Sequence, residues 1–294
     1  MKFSKELDLR LIQYLRLIRF QFHFRRHRNA ILFDDDGADI HEQQSRLMIY
    51  TAADSTYLQK FFKPFVKSAN AHMRAPRIHI HLYNPQPADF TLLNSVRKDM
   101  ARLALSWSHE NFSAQALEQR SQSSNQQSWK SLYICTSRFI AAEIVQKKFG
   151  LPLLITDVDI LFNGNVEERF SGAIDVALML RPEERNICKR TLGGIVYVSA
   201  RVAGRNFLAR TAGSISRFLA AGFYWFAFDQ LALYRAVRAM PKDSFATGFS
   251  PLTHHDISFD MDQDGLILFP KGKIKDQQEF ADLVHSYSEN SKTR

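Results

Sequence analysis

Apolar positions recur along the chain at two periods, and the order of those periods predicts the architecture. Residues 46–54 (RLMIYTAAD) read as a strand ending in small residues, and 78–84 (IHIHLYN) alternate like a strand until Pro85 stops them. Helices are expected over 56–71 and 89–103, followed by a short strand around Leu105. Residues 110–128 are rich in Gln and Ser and too weakly apolar to bury much, which predicts a loop or flap. A helix over 129–149, closed by Gly150 and Pro152, leads into LLITDVDILFNG at 153–164, an apolar run that reads as a buried strand. Further strands are expected at 176–181, 193–199 and 265–270, with helices over 201–221 and 228–240 and at the C-terminus. Strand and helix alternate as in an α/β fold with a mostly parallel, mixed central sheet covered on both faces. No internal repeat interrupts the pattern.

Composition adds little until charge is placed along the chain. With 45% apolar and 23% charged residues over 294 positions, the chain can bury a full α/β core. Its net charge of +9 is concentrated at one end: residues 1–28 hold eight Lys or Arg against Glu6 and Asp8, a net of +6. Leu7, Leu11, Leu15, Ile18 and Phe22 recur there at helical spacing, giving a basic amphipathic helix suited either to an anionic membrane surface or to packing on the protein's own body. Arg10, Arg16 and Arg19 break the apolar run, so neither a signal peptide nor a spanning helix fits, and a cytoplasmic protein, peripheral at most on the inner face of a membrane, is expected. The basic stretch lacks any accompanying nucleic-acid motif, which argues against a nucleic-acid partner. Cys135 and Cys188 have no metal-ligand spacing and read as free thiols. The expected layout is a basic helix and acidic loop over 1–44, a domain over 45–275, and a helical tail over 276–294.

The chemistry concentrates at Asp157 and Asp159. In an open parallel sheet, ligands bind beyond the carboxyl ends of the strands, and two carboxylates converging there suit Mg²⁺ or Mn²⁺ with positions left for phosphate oxygens. Two residues apart on an extended chain, they are expected to face the same way. Helix capping or pairing with an arginine is the bland alternative. Asp260, Asp262 and Asp264 resemble a calcium loop, but Lys271 stands where that loop needs a bidentate Glu, so a polar turn is expected. Two enzyme classes place D-x-D after an apolar strand. Haloacid-dehalogenase-type phosphatases do so early in the chain and usually with a following Thr, whereas Ile160 follows here and more than half the chain precedes the motif.

The other class fits better: the sequence resembles the GT-A-fold, nucleotide-sugar-dependent glycosyltransferases, closest in pattern to family 8, the glycogenin and galactosyltransferase-like group. TAADSTYL at 51–58, LYICTSRFIAAEIV at 132–145, TDVDILF at 156–162, LGGIVYVS at 192–199 and FDQLALYRA at 228–236 follow the family's order. The resemblance implies a UDP-sugar donor, a divalent ion (Mn²⁺ or Mg²⁺) on Asp157 and Asp159, and transfer with retention to a glycan, lipid or protein acceptor. It places the nucleoside over Thr51, Ala52 and Asp54 with Tyr57 nearby, Arg138 at the phosphates, and Asp157 at the ribose or metal. Gly193 and Gly194 would pass close to the sugar, Lys273 and Lys275 would contact the diphosphate, and Asp229 and Gln230 would act at the sugar's reacting carbon. Tyr224 and Trp225 would offer a platform for a sugar ring. Each role has a plainer counterpart: Tyr57 as core, Arg138 as a surface partner of Glu143, Asp229 as an N-cap. One departure stands out, because Phe269 occupies the position of the family's third metal ligand, a histidine. Water, phosphate, His254, His255 or Asp256 would replace it, or the ion would be held loosely with Lys271, Lys273 and Lys275 neutralising more of the phosphate charge, or the chain would be an inert relative that binds a nucleotide or a partner protein.

Overall fold

The computed structural model describes residues 31–34, 45–112, 129–170, 172–221, 227–261, 264–270 and 277–289. Eleven strands among these are β1 (Leu32–Phe33), β2 (Met48–Asp54), β3 (Arg77–Tyr83), β4 (Ala104–Glu110), β5 (Leu153–Thr156), β6 (Leu161–Phe162), β7 (Val176–Leu180), β8 (Thr191–Val198), β9 (Phe249–Pro251), β10 (Ile257–Ser258) and β11 (Ile267–Leu268). The helices are α1 (Ser55–His72), α2 (Pro87–Asp99), α3 (Trp129–Phe149), α4 (Val166–Arg169), α5 (Val202–Ala220), α6 (Phe228–Arg238), α7 (Lys242–Gly248) and α8 (Gln278–Glu289).

The main sheet has the order β1-β4-β3-β2-β5-β8-β7-β9. Strands β4, β3, β2 and β5 form the expected parallel βαβ array, with Thr51 of β2 beside Ile80 of β3 on one side and Thr156 of β5 on the other, and β1 lies antiparallel on β4. The second half is mixed: β8 runs against both β5 and β7, and β9 runs parallel to β7. After β2 the chain builds outward through β3 and β4, then returns along α3 to place β5 on β2's free side. That reversal opens a crevice at the carboxyl ends of β2 and β5.

Period-two alternation divides the core. Ile49, Ile78, Ile80 and Leu82 face α1 with its Leu58, Phe61, Phe62 and Phe65, whereas Met48, Tyr50, Leu153 and Ile155 face α3, α5 and α6. Burial on both faces explains why β5 reads as a continuous apolar run. Gly150, at φ +67°, ends α3 in the left-handed conformation open to glycine, and its N–H bonds the Gln146 carbonyl at 2.8 Å.

Several expectations need correction. The strand near Leu105 is seven residues long and includes Glu110, which the sequence reading put in a loop. Its alternate serines pair with histidines of β3 instead of facing water: Ser106 bonds His79 Nδ1 at 2.8 Å, and Ser108 bonds His79 Nε2 and His81 Nδ1 at 2.9 Å each. The stretch 265–270 keeps only two strand residues, and these join β10 and β6 in a separate three-stranded sheet. Strand β5 ends at Thr156, so Asp157–Asp159 lie on a turn and not on extended chain. Among the described residues no helix is long and apolar enough to cross a membrane. The basic helix of 1–28, Tyr224 and Trp225, and the lysines of 271–275 lie outside the described residues.

Candidate active site at the switch of the sheet

A cleft of about 190 Å³ opens where the crevice is expected. The β2–α1 turn contributes Ala52, Asp54 and Tyr57, α3 contributes Cys135 and Arg138, and the turn after β5 contributes Asp157 and Asp159. Asp54 is the N-cap of α1, accepting the Tyr57 N–H at 3.0 Å, and its other oxygen pairs with Lys130 at 2.6 Å. Tyr57 is exposed, its ring tilted against Phe61 at 5.5 Å between centroids, and so is not a core residue. Thr51 lies beneath, fully buried on β2, with a hydroxyl that finds no hydrogen-bond partner among the described residues.

Arg138 organises the floor. Its guanidinium is buried, bonds Asp157 Oδ1, and donates to the Gly193 carbonyl at 2.8 Å and to Asp229 Oδ2 at 3.2 Å. Desolvation disfavours its charge, but Asp157 and Asp229 more than offset this and hold the group firmly protonated. The pairing with Glu143 does not form, because Glu143 turns to Lys147 one helical turn on. Burial raises the Asp229 carboxyl above its ordinary value, and Arg138 works in the opposite direction. Asp229 sits inside the first turn of α6, not at its cap; the cap is Ala227, at φ +68°. Holding a non-glycine residue there costs about 1–2 kcal/mol.

Strand β8 passes directly over this cluster. A Cβ on Gly193 would stand 2.5 Å from Asp229 Oδ2, and one on Gly194 would meet Phe269 Cε1 at 2.9 Å and Asp157 Oδ2 at 3.0 Å. Both positions therefore require glycine for close approach. Gly194 also accepts the Asp157 N–H at 3.0 Å, which fixes the turn that carries the carboxylates.

Gln230 is held apart from Arg138. Oriented to satisfy its surroundings, its amide nitrogen donates to the carbonyls of Cys188 at 3.2 Å and Thr191 at 2.6 Å. Phe269 is buried against Gly194 and tilted on Phe259 at 6.2 Å. Of the proposed substitutes for a histidine ligand, Asp256 is engaged by Arg169 Nε at 2.5 Å and by the Thr253 N–H at 2.8 Å, and His254 packs edge-on against Phe259.

The sequence reading gave Cys135 only as a free thiol, although Ser131, Cys135 and Arg138 are spaced i, i+4, i+7 and so share one helical face on the cleft; nothing in it marked Lys130 as the partner of Asp54. The Cys135 thiol is exposed on the cleft, and desolvation by its crowded wall pushes its pKa up to about 11.

Charge and donor types define what the arrangement can do. Asp157 and Asp229 both pair with Arg138, and Asp159 lies on the same turn as Asp157 in the cleft lining. Two hard oxygen donors brought to one cleft suit a divalent cation. Among the described residues no group of three or more His, Cys, Asp or Glu side chains is placed to hold one.

Neither a family model nor a curated protein matches this sequence. Solved structures do match in shape. The bifunctional glycosyltransferase WbbM in its apo form is similar over 85% of this chain and 50% of its own, with a TM-score of 0.57 and 12% identity. The glycosyltransferase GlyE of Streptococcus pneumoniae TIGR4 is similar over 86% of this chain and 61% of its own, with a TM-score of 0.52 and 14% identity. The galactosyltransferase LgtC, solved with donor and acceptor sugar analogs, is similar over 81% of this chain and 95% of its own, with a TM-score of 0.51 and 11% identity. The chain thus spans about half to three-fifths of the length of WbbM and GlyE. At these identities the likeness is one of fold, and the fold is the GT-A type that the sequence resemblance implies.

Proposed function

We propose that the protein is a nucleotide-sugar-dependent glycosyltransferase whose donor diphosphate lies in the cleft between the β2–α1 turn, α3 and the Asp157–Asp159 turn. One observation carries this reading: both carboxylates of D-x-D line the switch-point cleft of a glycosyltransferase fold, beside a buried arginine. In the reaction the bond between sugar C1 and the leaving phosphate oxygen breaks, and the nucleoside diphosphate departs with the electron pair. An acceptor hydroxyl oxygen bonds C1 and loses its proton. Negative charge grows on the leaving group, and stabilising it is the site's main task. A divalent ion, Mn²⁺ or Mg²⁺, held by Asp157 and Asp159 would supply Lewis-acid charge there.

This chain's own residues do the rest. Arg138 orients Asp157 and ties it to Asp229 and β8, so the carboxylates do not collapse away from the cleft. Gly193 and Gly194 let a sugar approach the backbone. Asp229 lies beside Gly193 where the sugar would pass, and Gln230, bonded to the start of β8, braces that strand. LgtC's structure with donor and acceptor sugar analogs supports a sugar donor and a sugar acceptor for this fold, and the choice of UDP rests on the sequence resemblance. Phe269 in place of an imidazole favours a second reading, an inert relative that binds donor without turnover.

Calorimetry tests both. UDP with Mn²⁺ should bind, chelation should abolish most of the heat, and Asp159→Asn should weaken binding by about tenfold or more, the loss of one charged ligand. Binding untouched by both changes would remove the metal from the site. Donor binding without hydrolysis or transfer to any sugar acceptor would leave the inert relative.

A further inference from the structure

Beyond Gln230 the same face of the molecule carries a second cleft, of about 570 Å³, lined by the end of β7, Arg190, the second half of α6 and the start of α7. It begins close to the donor site. Thr191 Oγ donates to the Gln230 carbonyl at 2.7 Å, Arg190 directly precedes Thr191, and Tyr234 follows Gln230 by one helical turn, about 6 Å along α6.

Two kinds of surface meet there. Leu180, Val237, Met240 and Phe245 form an apolar wall, in which Phe245 is 40% exposed and stacks on Phe249 at 4.7 Å. An exposed phenylalanine braced by a second ring is an apolar contact held in place with nothing described to cover it. Arg190, Arg238 and Lys242 supply three positive charges, and among the described residues no carboxylate lines the cleft. Arg190 is held by neutral partners, the Tyr234 hydroxyl at 3.0 Å and the Glu184 carbonyl at 2.8 Å. Arg238 and Lys242 are exposed and form no ion pair among the described residues. Charges of one sign beside an apolar wall complement an amphiphilic anion: the apolar part covers Phe245, and the phosphate neutralises the cations.

We propose that this cleft binds the acceptor, and that the acceptor is a hydroxyl-bearing phosphate ester attached to a hydrocarbon chain. The proposal rests on the glycosyltransferase reading for its role and on the cleft's own chemistry for its ligand. The chemistry is common to bilayer phospholipids and to soluble lipid-linked phosphates, so the test uses both forms.

The probe is dihexanoylphosphatidylglycerol below its micelle concentration, titrated into the full chain by calorimetry. Glycerol phosphate and dihexanoylphosphatidylcholine serve as the headgroup-only and neutral-headgroup controls. The anionic lipid should bind about tenfold or more tighter than either control, since only it satisfies both the apolar wall and the cations. Phe245→Ala and the double variant Arg238→Gln, Lys242→Gln should each weaken it by about tenfold while leaving UDP binding unchanged; all three positions are exposed, so folding should not be at risk. Sedimentation with phosphatidylglycerol vesicles, compared between wild type and the double variant, then separates sources. A loss in the variant assigns bilayer lipid as the source, and no difference assigns a soluble lipid-linked phosphate. Equal binding of glycerol phosphate, equal binding of the neutral lipid, or indifference to both sets of substitutions would overturn the proposal while leaving UDP binding as the separate measure of the donor site. Amphiphile binding without any UDP binding would overturn the acceptor role.

Discussion

At the scale of single residues, the contact between Gly194 and Phe269 decides the most about the site. The sequence marks Phe269 only as a departure from the resemblance; the structure shows what the departure does, since the ring occupies the space that a Cβ on Gly194 would need. The two residues are therefore coupled through volume. Gly194→Ala should destabilise the protein by about 1–3 kcal/mol, because the added methyl must displace either the ring or Asp157. In a Phe269→Leu background the smaller side chain should yield, and the same substitution should cost measurably less. A urea-denaturation double-mutant cycle reads that difference directly. Additive effects would mean that the ring does not press on β8. The arginine was half legible: Arg138 was singled out as a phosphate contact with a surface role as the alternative, and its place between Asp157 and Asp229 could not be read because those partners are 19 and 91 residues away in sequence.

Among secondary-structure elements, legibility follows length. Strands and helices with several periods of burial on a defined face were readable to within a few residues, as for α1, α3 and α5. Two-residue strands such as β6, β10 and β11 carry no period at all, and only their pairing with one another defines them. The histidines of β3 show a different failure. Alternation marked the strand but not the partners of its polar positions: His79 and His81 are both fully buried, paired with serines of β4. Burial accordingly lowers the pKa of His79 far below the ordinary imidazole value. The junction of α1 and α2 was also invisible, because it depends on a buried carboxylate. Asp89 accepts from Ser55 Oγ at 2.9 Å, Gln59 Nε2 at 2.8 Å and the Gln86 N–H at 2.8 Å, which clamps the two helix starts together at the cleft end of the sheet. Replacing Asp89 with Ala leaves three donors without their acceptor and should cost about 3 kcal/mol or more. Asp89→Asn, which keeps one acceptor oxygen, should cost less. Chemical denaturation of the two variants checks the order; a midpoint unchanged in Asp89→Ala would show that the clamp contributes nothing.

For the molecule as a whole, the question is where the folded domain stops. The marks of the sequence resemblance end at Lys275, which leaves the last helix expected as an appended tail. The packing of α8 bears on this point. It lies against α1, and Phe280 is buried at 2% exposure in the same core cluster as Phe62, Phe65 and Leu58. Helix α1 also receives the β6 sheet, through the Phe162 N–H on Ser68 Oγ at 3.1 Å, and its N-cap Asp54 forms one wall of the cleft that holds Asp157 and Asp159. The last helix of the chain thus supports the element that opens the site. Phe280→Ala should remove about 3–5 kcal/mol, the usual cost of emptying a buried aromatic position. Asp282→Ala, on the exposed side of the same helix, should change stability by no more than about 0.5 kcal/mol. Thermal unfolding should then show a single transition, shifted down for the first variant and unmoved for the second. If α8 were only a tail, both substitutions would be silent. A separate low-temperature transition for the helix would place it outside the cooperative unit that holds Asp54 and α1 in place.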